Sequence, residues 1–221
     1  MDAELKKQIL KSGTSLVGIV CKDGIVMAGD RKTTAGGQIV MNKNKQKVVP
    51  INDYLVVSGT GVSSDINMIK KLIQAELKLK ELKSKKRPTI KEAANLFAMI
   101  SYKNIRQPSM IAFVAGMMVG GLNEDGTVEL YTVEPAGSAE KVEDYDANFS
   151  SGMPYILGLL ERQYKKGLSV EEGVKLATEA IKSSSARDTA SGSGIDVFTI
   201  KKDGIKKVLS QELSAEYKDR E

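Results

Sequence analysis

The sequence contains no histidine, no tryptophan and a single cysteine, Cys21, among 221 residues. Without histidine, a Ser-His-Asp or Cys-His hydrolase is excluded, and zinc has neither imidazole nor a set of thiolates to hold it. A lone cysteine closes no internal disulfide, as expected in a reducing, cytoplasmic setting. Residues 1–10 lack the apolar centre of a secretory signal. No apolar run is long enough for a bilayer either; the longest, residues 111–122, is short and glycine-rich. The net charge of +5 invites a nucleic-acid reading, but much of the excess lies between Lys78 and Arg87. Leu79 and Leu82 sit among those charges, the pattern of a solvated helix end whose basic residues suit the C-terminal dipole. With no tryptophan and no binding module, nucleic acid is not an expected partner.

What is present is punctuation. Asp23-Gly24, Asp125-Gly126 and Asp203-Gly204 each adjoin strand-like residues, and Asp-Gly favours tight hairpins because both residues tolerate positive φ. A further strand is expected at Tyr54–Val57. Between the strand blocks the spacing predicts two helix pairs, roughly 64–83 with 89–104, and 154–164 with 169–184. Thr89 with Glu92, and Ser169 with Glu172, have capping-box spacing, and Gly167 is expected to close the third helix. Strands, two helices, strands, two helices, strands is the order of an α+β chain. Two antiparallel sheets covered by helix pairs, a four-layer αββα sandwich in a single domain, bury such elements economically.

One nucleophilic chemistry survives the absence of histidine. A threonine freed at the N-terminus can use its own α-amino group as base. Thr14 follows Gly13 where a polar leader gives way to an apolar strand. Asp30 ends the apolar run Ile25–Gly29, and a carboxylate there needs a partner or water. Lys47 precedes Val48-Val49, and such an ammonium could pair with that carboxylate and polarise a threonine hydroxyl between strands. The run Ala186–Val197 combines an acid, hydroxyls and glycines just after a helix and before a strand, a loop suited to a polar network.

With these residues the chain resembles a β-type subunit of the proteasome, the archaeal form most of all. The resemblance is carried by Gly13-Thr14, Gly18, Asp23-Gly24, Ala28-Gly29-Asp30-Arg31, Ser58-Gly59-Thr60-Gly61, Asp65, Ser151-Gly152, Glu172-Gly173 and Arg187–Gly192, in family order. It implies the N-terminal-nucleophile hydrolase fold and a threonine endopeptidase that degrades unfolded polypeptides. Thr14 would be exposed by autocatalytic removal of a propeptide, residues 1–13, with 14–221 as the catalytic domain. Asp30 and Lys47 would fix and polarise Thr14; Ser151, Asp188 and Ser191 would hold its amine and the proton-carrying water. Gly61 N–H would face the oxyanion, and Thr34, Gly59 and Ser63 would line the substrate path. No cofactor and no metal is implied. The implied partners are α-type subunits and other β-type subunits in stacked rings, with a regulatory ATPase reached through the α-ring.

The Asp30-to-Lys47 spacing is one residue longer than is common in the family, so Lys45 competes with Lys47 as the catalytic lysine. Ser150 stands where the family usually has glycine, and Ser15 where a second threonine is usual. A scaffold subunit with its leader retained is the alternative to an active peptidase. Gly59 at the base of the pocket suggests room for large side chains before the cut.

Overall fold

The computed structural model describes residues 13–110 and 112–213. Their elements run β1 (Leu16–Cys21), β2 (Gly24–Asp30), β3 (Thr33–Ala35), β4 (Ile39–Asn42), β5 (Val48–Asn52), β6 (Leu55–Gly61), α1 (Ser63–Ser84) and α2 (Ile90–Ile105). After them come β7 (Ala115–Leu122), β8 (Val128–Val133), β9 (Ala139–Lys141), β10 (Tyr145–Asp146), α3 (Met153–Gln163), α4 (Val170–Ser185), β11 (Gly194–Lys201) and β12 (Gly204–Glu212). All pairings are antiparallel. One sheet has the order β10-β1-β2-β11-β12, the other β5-β6-β7-β8-β9, and β3 with β4 forms a separate hairpin.

Burial explains the layering. In β2, Val26 and Ala28 join Ile156, Leu160, Ala177 and Ile181 under α3 and α4. The alternate residues Ile25 and Met27 turn the other way and meet Val56, Met118 and Leu130 of the second sheet. With both faces covered, β2 is buried at every position, hence its unbroken apolar run instead of an alternating one. The second sheet is covered by α1, whose Ile66, Ile69, Ile73 and Leu77 recur at helical spacing, and by α2 around Phe97. The four-layer αββα sandwich is therefore present, with three apolar layers between its four.

The helix starts follow the sequence closely. Thr89 Oγ1 accepts from Glu92 N–H at 3.2 Å while Glu92 Oε2 accepts from Thr89 N–H at 2.9 Å. Ser169 and Glu172 repeat the exchange at 3.3 and 2.8 Å. The Lys78–Arg87 stretch is the end of α1 and the turn into α2, exposed except at Glu81 and at Arg87, which lies 4.5 Å over the Tyr54 ring. No helix among the described residues is long and apolar enough to cross a membrane.

Two expectations fail locally. Gly24 does not adopt positive φ; it is already paired with Cys21 in the β1–β2 ladder, so Lys22-Asp23 makes the turn. Glycine is needed there for space, since a Cβ would lie 2.5 Å from the Ile200 carbonyl oxygen. Gly167, at φ +85°, does not close α3, which ends at Gln163 with Tyr164 extended at ψ 136°. Tyr164 is drawn off the helix axis by an edge-on ring contact with Tyr145 at 5.0 Å and a hydroxyl hydrogen bond to Val20 O at 3.3 Å.

Candidate active site

Thr14 lies at the seam of the two sheets, 5% exposed. The β1–β2 ladder extends one step past β1, with Asp30 N–H donating to Ser15 O at 3.0 Å, and so brings the Asp30 carboxylate alongside Thr14. That carboxylate is wholly buried and surrounded by donors. Ser15 N–H and Lys47 Nζ reach Oδ1 at 2.8 and 2.6 Å; Lys32 N–H and Gly192 N–H reach Oδ2 at 3.0 and 2.9 Å. Lys47 enters from the other sheet, just before β5, and is itself 6% exposed. Its Nζ also donates to the Gly13 carbonyl oxygen at 2.9 Å.

Burial pushes Lys47 below the ordinary lysine range, with Asp30 opposing. Burial likewise pushes Asp30 up, opposed by Lys47 and by the N–H groups of Ser15 and Gly192. The three backbone donors decide between the two charge states, because they favour a carboxylate over a carboxyl. The pair is carboxylate and ammonium. Lys45 does not share it: its N–H donates to Arg31 O at 3.0 Å and its side chain lines the neighbouring pocket.

A second network holds the nitrogen of Thr14. Thr14 N–H donates to Ser151 Oγ at 2.9 Å, and Ser151 Oγ in turn donates to Asp188 Oδ2 at 2.6 Å. Ser191 Oγ reaches the same carboxylate oxygen at 2.6 Å, and Ser15 Oγ donates to Ser191 Oγ at 2.7 Å. Ser150, in the position where a glycine was expected, is accommodated: its hydroxyl donates to Ala147 O at 2.7 Å and its φ is not positive.

The junction ahead of Thr14 is equally constrained. Thr14 Oγ1 donates to Gly13 O at 2.7 Å, and Gly13 N–H donates to Thr34 Oγ1 at 3.2 Å. Gly13 packs against the Asp188–Ser191 loop so closely that a Cβ would fall 1.8 Å from Ala190 Cβ. Residues 1–12, which hold the rest of the expected propeptide, lie outside the described residues.

Thr14, Asp30, Lys47, Ser151, Asp188 and Ser191 thus converge, and Thr34 touches Gly13. Gly59 and Ser63 line a pocket that opens beside Thr14 and Lys47. Gly61 ends β6 at φ +112°, with its α-carbon against the Val114 carbonyl. Among the described residues, the Gly13 oxygen takes its hydrogen bonds from Lys47 and Thr14. A side chain at Gly59 itself has no room: a Cβ there would lie 2.6 Å from Ile66 Cγ2 and 3.0 Å from Met117 Sδ.

Sequence reasoning missed Asn148. It adopts φ +37°, is 1% exposed, and projects from the Ser150-Ser151 loop into the second sheet. Its Nδ2 reaches Thr132 Oγ1 at 2.9 Å and Met117 O at 3.0 Å, and its Oδ1 accepts from Thr60 Oγ1 at 2.8 Å. It pegs the loop that carries Ser151 to the opposite sheet. Lys70, on the pocket wall, was also passed over, since one lysine in a lysine-rich helix carries no signal.

Comparison with known proteins agrees with this architecture. The family model "Proteasome subunit" matches residues 10–200. Proteasome subunit beta of Nanoarchaeum equitans is 36% identical over 196 residues, covering 89% of this chain and 97% of that protein. Proteasome subunit beta 1 of Thermococcus kodakarensis is 36% identical over 203 residues, 92% of this chain and 96% of its own length. Proteasome subunit beta 2 of Pyrococcus abyssi is 37% identical over 203 residues, with 92% and 94% covered. The chain belongs to the proteasome subunit family.

Proposed function

We propose that this chain is a threonine endopeptidase subunit of a proteasome core particle, made active by cleavage of its own Gly13–Thr14 bond. The observation that carries the reading is the grip on that bond: the Gly13 carbonyl oxygen is held at 2.9 Å by Lys47 Nζ and at 2.7 Å by Thr14 Oγ1. An ammonium on a carbonyl oxygen draws charge from the carbon and stabilises the oxyanion that forms when Oγ1 attacks. The Oγ1 proton passes to the Thr14 nitrogen, and collapse of that adduct breaks the C–N bond, leaving residues 1–13 as an ester on Oγ1 and Thr14 with a free amine. Water then hydrolyses the ester.

The freed nitrogen remains next to Ser151, Asp188 and Ser191. While acylated by Gly13 it is an amide whose lone pair is delocalised, and it cannot take a proton. As an α-amine its unperturbed pKa is about 7.7–8.0, so part is neutral near pH 7, and the Lys47 cation increases that part. Thr14 Oγ1 then attacks a substrate carbonyl while its own amine accepts the proton. Asp30 fixes Lys47, Gly61 N–H serves the oxyanion, and Thr34, Gly59 and Ser63 border the substrate. Substrates are unfolded polypeptides. The partners are α-type and other β-type subunits in stacked rings, fed by a regulatory ATPase, in the cytoplasm.

The test is the intact mass of the chain after co-assembly with α-type subunits, beside Thr14→Ala. Loss of residues 1–13 together with peptide hydrolysis, both absent in the variant, is the expected result. A full-length mass persisting in assembled, inert rings would make the chain a scaffold subunit instead.

A further inference from the structure

The pocket that opens beside Thr14 is bounded by Lys45, Lys47, Gly59, Ser63, Ile66 and Lys70. Three of these are lysines and none is an acid. Lys47 is already engaged by Asp30 at 2.6 Å. The other two have no ion-pair partner among the described residues. Lys45 offers its side chain to the pocket, and the polar contact of Lys70 Nζ is a long one, 3.5 Å to the Lys47 carbonyl oxygen. Two unmatched cations therefore face a cleft whose apolar wall, Ile66, is occupied in closing over Gly59.

Unpaired ammonium groups in a partly buried cleft are costly unless a counter-charge arrives. Burial and the charge of Lys45 push Lys70 down to about 8, which still leaves it mainly protonated at neutral pH. A carboxylate entering the cleft would gain charge-assisted hydrogen bonds and relieve the repulsion between Lys45 and Lys70. An apolar side chain would gain only the Ile66 surface while drying two charges. A basic side chain would add a third.

We propose that Lys70, with Lys45, makes this cleft a carboxylate subsite, so that the enzyme cuts after aspartate and glutamate. The inference rests on the reading of Thr14 as nucleophile, because Thr14 itself lines the cleft with Lys45 and Lys70, so a side chain adjoining the carbonyl that Oγ1 attacks would be the one to enter it. It replaces the expectation, drawn from Gly59, that large side chains in general are accepted.

The experiment uses the processed particle assembled with α-type subunits. Four fluorogenic peptides differ only in the residue before the cut: glutamate, glutamine, leucine or lysine. Glutamate is expected to exceed glutamine by about tenfold in kcat/KM, since the two differ in charge and little in shape. Lys70→Met is expected to collapse the glutamate-to-glutamine ratio toward one, and Lys70→Arg to keep most of it. If Lys70→Met does not assemble, Lys45→Met is read in the same way, with a smaller loss. Equal rates for glutamate and glutamine, or a ratio indifferent to both methionine variants, would overturn the carboxylate subsite while leaving the peptidase intact. Failure to hydrolyse any of the four, with residues 1–13 still attached by mass, would overturn the peptidase reading and this inference with it.

Discussion

Replacing Gly13 with alanine adds one methyl group, and the surroundings say what it must meet. The new Cβ would sit 1.8 Å from Ala190 Cβ, 2.6 Å from Ala190 O and 2.7 Å from Ala190 Cα. Carbon atoms rest at about 3.5–4.0 Å, so the junction and the Ala190 loop must separate by well over 1 Å. No flexible side chain can yield, because every atom met belongs to a backbone or to a Cβ. If the junction moves, the Gly13 carbonyl leaves Lys47 and Thr14 Oγ1; if the loop moves, Asp188 leaves Ser151 and Ser191 leaves Ser15. Misplacement of about 1 Å at a reacting centre costs roughly a hundredfold, or about 2.7 kcal/mol of barrier. Gly13→Ala is therefore expected to slow removal of residues 1–13 by at least about a hundredfold, followed by intact mass against time after mixing with α-type subunits. Adding Ala190→Gly removes the worst contact and leaves those to the 190 backbone, so rescue is expected to be partial. A chain whose Thr14 amine is freed by a separate protease no longer contains Gly13, and its peptidase activity is expected to be the same whichever residue preceded it. Processing of Gly13→Ala at the wild-type rate would refute the steric argument.

Lys47→Met strips the buried Asp30 carboxylate of its counter-ion, with an expected loss of about 3–5 kcal/mol in denaturant unfolding and no processing by mass; Lys45→Met, which leaves the Asp30 pair intact, is expected to slow processing far less. Asn148→Ala leaves Thr60 Oγ1 and the strand carbonyls without their partner, at about 1–3 kcal/mol, and is expected to lower Tm and lengthen the processing half-time together. A lower Tm with unaltered processing would mean that the peg does not position Ser151. The pH dependence of stability follows from Lys70, whose pKa in the fold is about 8 against 10.5 for an ordinary lysine. Below about 8 both folded and unfolded chains hold the proton and the burial penalty is complete; between 8 and 10.5 the fold releases it first and gains stability. Lys70→Met is thus expected to be more stable than the wild type at pH 7, with the Tm difference shrinking as the pH rises through that window.

The sequence exposes most of the fold because its signals are local. Thr89 with Glu92 and Ser169 with Glu172 are complete within one helical turn, and both caps form where their spacing puts them. Tyr164 shows where local reading ends. Nothing within reach along the chain indicates that its ring meets Tyr145 and its hydroxyl meets Val20, and those contacts end α3 before Gly167 can. Thr14, Asp30 and the Arg187–Gly192 loop stood out by residue type, and the choice between Lys45 and Lys47 as partner of Asp30 is settled by distance alone. Asn148 and Lys70 were invisible for a different reason: an asparagine in a polar loop and a lysine on a charged helix are ordinary until the opposite sheet is in position. Gly59 shows the same limit: the sequence does not reveal that Ile66 and Met117 pack where its side chain would stand.

Asp30 and the Asp188–Ser191 loop are carried by the first sheet; Lys47, Gly59 and Gly61 come from the second; Asn148 ties one to the other. On the proposed reading, neither sheet alone holds the groups that cutting needs, so a chain with its layers still apart would be harmless to itself and to its neighbours. The docking of the two halves would then act as the safety catch, released by the same burial of Leu16, Met27, Val56 and Met118 that joins the two sheets.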